Sequence, residues 1–151
     1  MDSGHLNFNY RMSAIKKSDG IVLKVFLKLK KIPAPDAKTA MDEAMEIVKN
    51  RISKQPKGKC SGSFFKNPGE LDPDQKMKAG YLLEHSGCKG LQIGQVKVSD
   101  QHANWLMNLG GGTQKDVLAL CKLCQKNVRV KFGIELEREV QLVNETGFLN
   151  D

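Results

Sequence analysis

Cys60-Ser61-Gly62-Ser63-Phe64-Phe65-Lys66-Asn67-Pro68 sets small hydroxyl residues and a glycine directly against two aromatics, a cation and an amide. Glycine has no Cβ to hold a ligand away from the backbone. Lys66 adds a charge, and Asn67 both donates and accepts hydrogen bonds. The stretch suits a place where backbone closes on a ligand; its plainer reading is a short strand that Pro68 ends in a turn. Arg11, beside Tyr10, is either a surface charge or an anion clamp, because a guanidinium meets a carboxylate or phosphate through two parallel hydrogen bonds. His102 lies just before an expected strand, where a lone histidine is ordinarily a surface or capping residue. Glu135, Glu137 and Glu139 share one face of an alternating segment, the usual place for solvated carboxylates.

Two other motifs carry weaker chemistry. Cys121-x-x-Cys124 has the spacing of a redox pair or of half a zinc site. A structural zinc site needs a second matching pair, and Cys60 and Cys88 are single and far apart. Cys121 and Cys124 also fall on the apolar stripe of an expected helix and therefore read as buried thiols. Gly110-Gly111-Gly112-Thr113 precedes a helix but lacks the lysine-serine ending of a phosphate loop, so it reads as a turn.

The elements that must position these residues follow from periodicity. Ile21, Leu23, Val25, Leu27 and Leu29 share one face over 21–30 and Lys24, Lys28 and Lys30 the other, with Val22 and Phe26, the pattern of a strand with a solvated lysine face. A helix is expected from the Asp36 N-cap to about Ile52, with Met41 and Met45 as packing residues. A second helix is expected over about Asp74–His85, then a turn and short strand over Cys88–Val98 and a further strand ending near Asn108. The best helix runs from Gln114 to about Lys131. Thr113 and Asp116 form its capping box, and Val117, Leu120, Cys121, Cys124 and Val128 its apolar stripe. Ile134 to Val143 alternates strictly and reads as a strand. The fold class expected is α+β, with antiparallel strands and two or three helices packed on one side.

Composition narrows the partners. The chain has 151 residues, a net charge of +7 and 40% hydrophobic residues, ordinary values for a globular domain with a preference for anions. No recognition motif accompanies the basic surplus, so nucleic acid is not the expected partner. No stretch nears the ~18 apolar residues of a membrane span, and the expected compartment is the cytoplasm.

Gly62 to Pro68, Ala79-Gly80-Tyr81-Leu82-Leu83-Glu84, Val98-Ser99 leading to His102-Ala103-Asn104, and Lys131-Phe132-Gly133-Ile134-Glu135-Leu136 leading to Glu139-Val140 run in a familiar order. Together they resemble the C-terminal part of the UDP-N-acetylenolpyruvoylglucosamine reductases (UDP-N-acetylmuramate dehydrogenases). Tyr10-Arg11-Met12-Ser13 is similar to that family's upstream Tyr-Arg-x-Ser motif. The resemblance covers nearly the whole chain. It implies a flavoenzyme of peptidoglycan precursor synthesis, in which NADPH reduces FAD and the flavin passes hydride to the enolpyruvyl group of a UDP-sugar. It implies Ser63 as proton donor to the carbon left carbanionic, with Arg11 and Glu139 stabilising the enolpyruvyl carboxylate. Lys54, Asn67 and His102 match positions near the nucleotide or sugar.

Two departures bear on that expectation. The glycine-rich FAD phosphate loops of the family have no counterpart here, and Gln141 stands where many members carry arginine. The resemblance therefore implies a remnant of the FAD-binding domain over 1–31, a linker and helix over 32–53, and a substrate-binding C-terminal domain over 54–151. It leaves FAD mostly to the missing N-terminal part or to a separate FAD-binding polypeptide, and expects no turnover from this chain alone. The alternative is a non-catalytic remnant that holds UDP-sugars or other anions.

Overall fold

The computed structural model describes residues 3–69, 77–144 and 147–149. It divides into two units, residues 1–41 and 42–151.

In the first unit, short 3₁₀ turns cover Ser3–Leu6 and Ile15–Lys17. Between them Asn9 and Met12 exchange backbone hydrogen bonds of 3.0 Å, which forces Arg11 into the left-handed region at φ 57°. The segment 21–30 has no regular secondary structure and forms no strand, which corrects the expectation from its pattern. Ile21 and Leu23 are 85% and 91% exposed. Alternation makes a strand only where a neighbouring strand takes up the backbone donors and acceptors. Among the described residues no strand pairs with this one.

Helix α1 spans Ala34–Lys54, starting slightly before the expected Asp36 cap. Asp36 instead falls in the first turn, where its charge opposes the positive end of the helix. Met41 and Met45 were expected to pack, yet both are exposed, as are Ile47 and Val48. The helical spacing is real, but burial requires a facing element that periodicity alone cannot supply.

The second unit holds the core. Strands β1 (Lys59–Ser63), β2 (Gln92–Ile93), β3 (Val96–Val98) and β4 (Trp105–Asn108) form an antiparallel sheet in the order β1-β4-β3-β2. Gly94 and Gln95 turn β2 into β3, so the expected single strand before Val98 is a hairpin. Helix α2 spans Ala79–His85, and the expected start at Asp74 lies outside the described residues. Helix α3 spans Gln114–Phe132 and packs against α2, β2 and β3. The architecture is α+β.

Local chemistry sets the bounds of α3. Thr113 Oγ1 accepts from Asp116 N–H at 3.2 Å, and the Asp116 carboxylate accepts from Thr113 N–H at 2.9 Å. These bonds hold the Asp116 carboxyl below its ordinary range. Gly133 closes the helix in the left-handed conformation at φ 69°. Leu120, Cys121, Cys124 and Val128 are buried on the expected stripe. They meet Val96 and Val98 from the sheet and Leu82 and Leu83 from α2, a single apolar cluster whose burial drives the fold.

Residues 134–143 keep the expected faces but not the expected ladder. Leu136 is buried, Ile134 and Val140 pack on the core, and Glu135 and Glu137 are exposed. Regular pairing appears only as an isolated bridge between Phe65 and Arg138, and as the hairpin of β5 (Leu142–Asn144) and β6 (Gly147–Leu149). The alternation reflects one buried face, which an irregular segment satisfies as well as a strand.

Candidate active-site cleft

The cleft grows out of the end of β1. The register between β1 and β4 shifts between Cys60 and Ser63, a bulge that redirects the chain where Ser63 emerges. Gly62 sits in this bulge at φ 82°, a conformation that suits glycine, and nothing lies within 4 Å of where its Cβ would stand. Phe64 and Phe65 then anchor the loop, 3% and 1% exposed, with rings edge to face at 5.1 Å.

Asn104 fixes the backbone that follows Ser63. Its side-chain oxygen accepts from Phe65 N–H at 2.8 Å, and its amide donates to Phe65 C=O at 2.9 Å. Its own carbonyl accepts from Phe64 N–H at 2.9 Å. On the other side Glu139 N–H donates to Phe64 C=O at 2.8 Å, and Lys66 N–H to Glu137 C=O at 2.9 Å. Phe64 and Phe65 are thus held from both sides, although β1 has ended.

A cleft of about 450 Å³ opens here, lined by Ser63, Asn67, Tyr81 and His102 among others. Asn67 braces it by accepting from Ala79 N–H at 3.0 Å, which ties the loop to the start of α2. His102 is placed by Ser99, whose hydroxyl oxygen is 3.1 Å from Gln101 N–H and 3.3 Å from His102 N–H. Asn104 N–H donates to His102 Nδ1 at 3.2 Å. That bond assigns the ring proton to Nε2 in the neutral form. Burial lowers the His102 pKa from its ordinary 6.5, outweighing a backbone hydrogen bond, and the ring is neutral at pH 7. Gly80 makes room for it: a Cβ there would lie 3.0 Å from His102 Cε1. Tyr81 stacks on His85 at 3.8 Å. Glu84, also on the cleft, is paired with Lys89 at 2.6 Å, and this bond holds its carboxyl below the ordinary range.

The expected site residues are distributed as follows. Ser63, Asn67 and His102 come together in this cleft. Glu139 is not among the residues lining the cleft; its N–H donates to the C=O of Phe64, the residue after Ser63. Lys54 is the last residue of α1 and is exposed. Its neighbours Ser53 and Gln55 line a second hollow of about 430 Å³, which shares Gln101 with the first. The Gln101 amide donates to Ser53 C=O at 2.6 Å. Arg11 belongs to the other unit. Gln141 lines a different groove of about 610 Å³, beside Cys60 and Phe64. Asn104 was missed as a positioning residue; its one signal was its place in the His-Ala-Asn run, which names a motif but not a hydrogen-bond pattern.

The cysteines and the glycine turn do not join the site. Burial pushes the Cys121 thiol up to about 11. Cys124 is pushed up too, by its hydrogen bond with Cys88 and by burial. Both are thiols at neutral pH, poor nucleophiles and poor ligands. Cys60, on the edge strand β1, is exposed. Among the described residues no cluster of three or more His, Cys, Asp or Glu could hold a metal ion. In the 110–112 turn, Asn108 Oδ1 accepts from Gly110 N–H at 2.9 Å and from Gly112 N–H at 3.1 Å. These donors close the turn on Asn108, so the turn does not fit a cofactor phosphate.

An α+β domain with a polar cleft at the end of an edge strand is the class these features define. The chain matches the model of the family described as UDP-N-acetylenolpyruvoylglucosamine reductase, C-terminal domain, over residues 54–143, and it belongs to that family. It is 40% identical over 126 residues to the UDP-N-acetylenolpyruvoylglucosamine reductase of Chloroherpeton thalassium, covering 83% of this chain and 40% of that protein. The Bacillus pumilus enzyme of the same name is 36% identical over 143 residues, covering 93% of this chain and 44% of its own length. A crystal structure of the reductase from Thermus caldophilus superposes with a TM-score of 0.70 at 39% identity, over 91% of this chain and 46% of that one. The chain thus spans less than half the length of these relatives.

Proposed function

We propose that this chain supplies the substrate-binding and proton-donating half of an oxidoreductase of peptidoglycan precursor synthesis. The reaction is the NADPH-dependent, FAD-mediated reduction of UDP-N-acetylenolpyruvoylglucosamine to UDP-N-acetylmuramate. The observation that carries this reading is the convergence of Ser63, Asn67 and His102 on one cleft.

In this reading Ser63 gives its hydroxyl proton to the substrate carbon that becomes carbanionic. A serine hydroxyl is a weak acid in water, but a carbanion is far more basic, and contact distance removes the entropic cost of the encounter. The bulge at Gly62 and the clamp of Asn104 keep Ser63 at the cleft wall. Arg11 and Glu139 attend the enolpyruvyl carboxylate, where charge builds up and a fixed cation or acid has most effect. Asn67 and the neutral His102 bind sugar or nucleotide oxygens, and Lys54 lies toward the nucleotide. FAD, when bound, supplies the hydride; we assign it no binding residue in this chain and leave it to a flavin-binding half, in the same or a separate polypeptide. Residues 1–31 belong with that half and 54–151 form the substrate domain.

The test is calorimetric titration of the purified chain with UDP-N-acetylenolpyruvoylglucosamine. Binding that weakens in Arg11→Ala and changes little in Ser63→Ala fits a substrate cleft with a separate proton donor. No binding by a folded chain would overturn the reading for this chain on its own.

A further inference from the structure

The charge around the cleft is unevenly placed. His102 is neutral, and Glu84 is engaged by Lys89 at 2.6 Å. Among the described residues, Lys78 is the only lysine or arginine lining the cleft, and no ion pair of its ammonium is found there. Its backbone is well fixed. Lys78 is extended (φ −73°, ψ 134°), its carbonyl accepts from Leu82 N–H at 3.1 Å, and the next N–H, that of Ala79, donates to Asn67 at 3.0 Å. A half-buried lysine on a braced backbone, on a cleft whose described carboxylate, Glu84, is already paired with Lys89, is a cation available to a ligand.

We propose that Lys78 is a specificity-determining residue that binds the diphosphate of the nucleotide-sugar in this cleft, orienting the neutral sugar toward His102. This rests on reading the cleft as a UDP-sugar site. A lysine suits a diphosphate because it offers a compact charge with rotatable donors and does not require the planar match of a guanidinium. Attraction is strengthened where the cleft walls exclude water.

The test titrates UDP and uridine into the unmodified chain and into Lys78→Gln, Lys78→Arg and Lys115→Gln, the last changing net charge equally on an exposed part of α3. Lys78→Gln is expected to weaken UDP about tenfold, the scale of one charge-assisted contact. Uridine affinity should not change, Lys78→Arg should stay within about threefold of the unmodified chain, and Lys115→Gln should match it. Equal UDP affinity in Lys78→Gln and the unmodified chain would overturn the assignment while leaving the cleft a substrate site. A folded chain that binds neither UDP nor the enolpyruvyl sugar would overturn both.

Discussion

Replacing Asn104 by alanine should destabilise the protein and disorganise the cleft together. Asn104 is 4% exposed, and its side chain meets both backbone groups of Phe65, at 2.8 and 2.9 Å. The bridge to residues 137–139 uses the backbone of Phe64 and Lys66, so the Phe65 groups point away from it, toward Asn104. Truncation leaves one donor and one acceptor unsatisfied beside a side chain that is 1% exposed. Each such orphan costs about 1–3 kcal/mol, and water entering the space left by the amide recovers part of that. The expected loss is about 3 kcal/mol, or roughly 6–12 °C in Tm for a chain of this size. Urea unfolding followed by circular dichroism measures it. Asn104→Asp sharpens the test. Its carboxylate would face the Phe65 carbonyl, and burial raises its pKa, so only the protonated acid can donate there. Because the folded state then holds the proton more tightly than the unfolded chain, this variant should be most stable at low pH and lose stability as pH rises. A loss below about 0.5 kcal/mol in Asn104→Ala, or an Asn104→Asp variant that stabilises with rising pH, would refute the clamp.

Gly80→Ala puts a Cβ 3.0 Å from the His102 ring, so it should displace the ring and weaken substrate binding several-fold with little effect on global stability; calorimetry and thermal melts separate the two. His102 should titrate below its ordinary 6.5 in the folded chain, followed by NMR with a urea-unfolded control. Since the unfolded chain takes up that proton first, stability should fall as pH drops through about 6.5, and His102→Gln should flatten the slope. Thr113→Ala removes the cap of α3 and should cost about 1 kcal/mol in urea unfolding, with substrate affinity unchanged.

Helix α3 was legible in the sequence because cap, stripe and terminal glycine all act locally, and each agreed with the others. Where a partner decides the outcome, pattern was not enough. Residues 21–30 put five aliphatic side chains on one face and α1 carries apolar residues at helical spacing, yet Leu23 and Met41 are exposed. The 134–143 segment shows the same limit from the other side, since Leu136 is buried without a continuous ladder. In the cleft, the Gly62–Pro68 run announced Ser63 and Asn67 through residue type. Asn104 could not be read this way, because its role depends on a contact across 39 positions. Lys78 carried no motif at all; its place on the cleft, next to the Ala79 N–H that Asn67 holds, shows only in the structure.

The central claim is that the cleft holding Ser63, Asn67 and His102 binds the enolpyruvyl UDP-sugar. Backbone amide chemical shifts recorded during titration with UDP-N-acetylenolpyruvoylglucosamine test it most directly. The account predicts the largest shifts at Ser63, Asn67, Tyr81 and His102, with Lys115 and Val130 on α3 unmoved. Shifts confined to the groove beside Cys60 and Gln141, or no shifts from a folded chain, would contradict it.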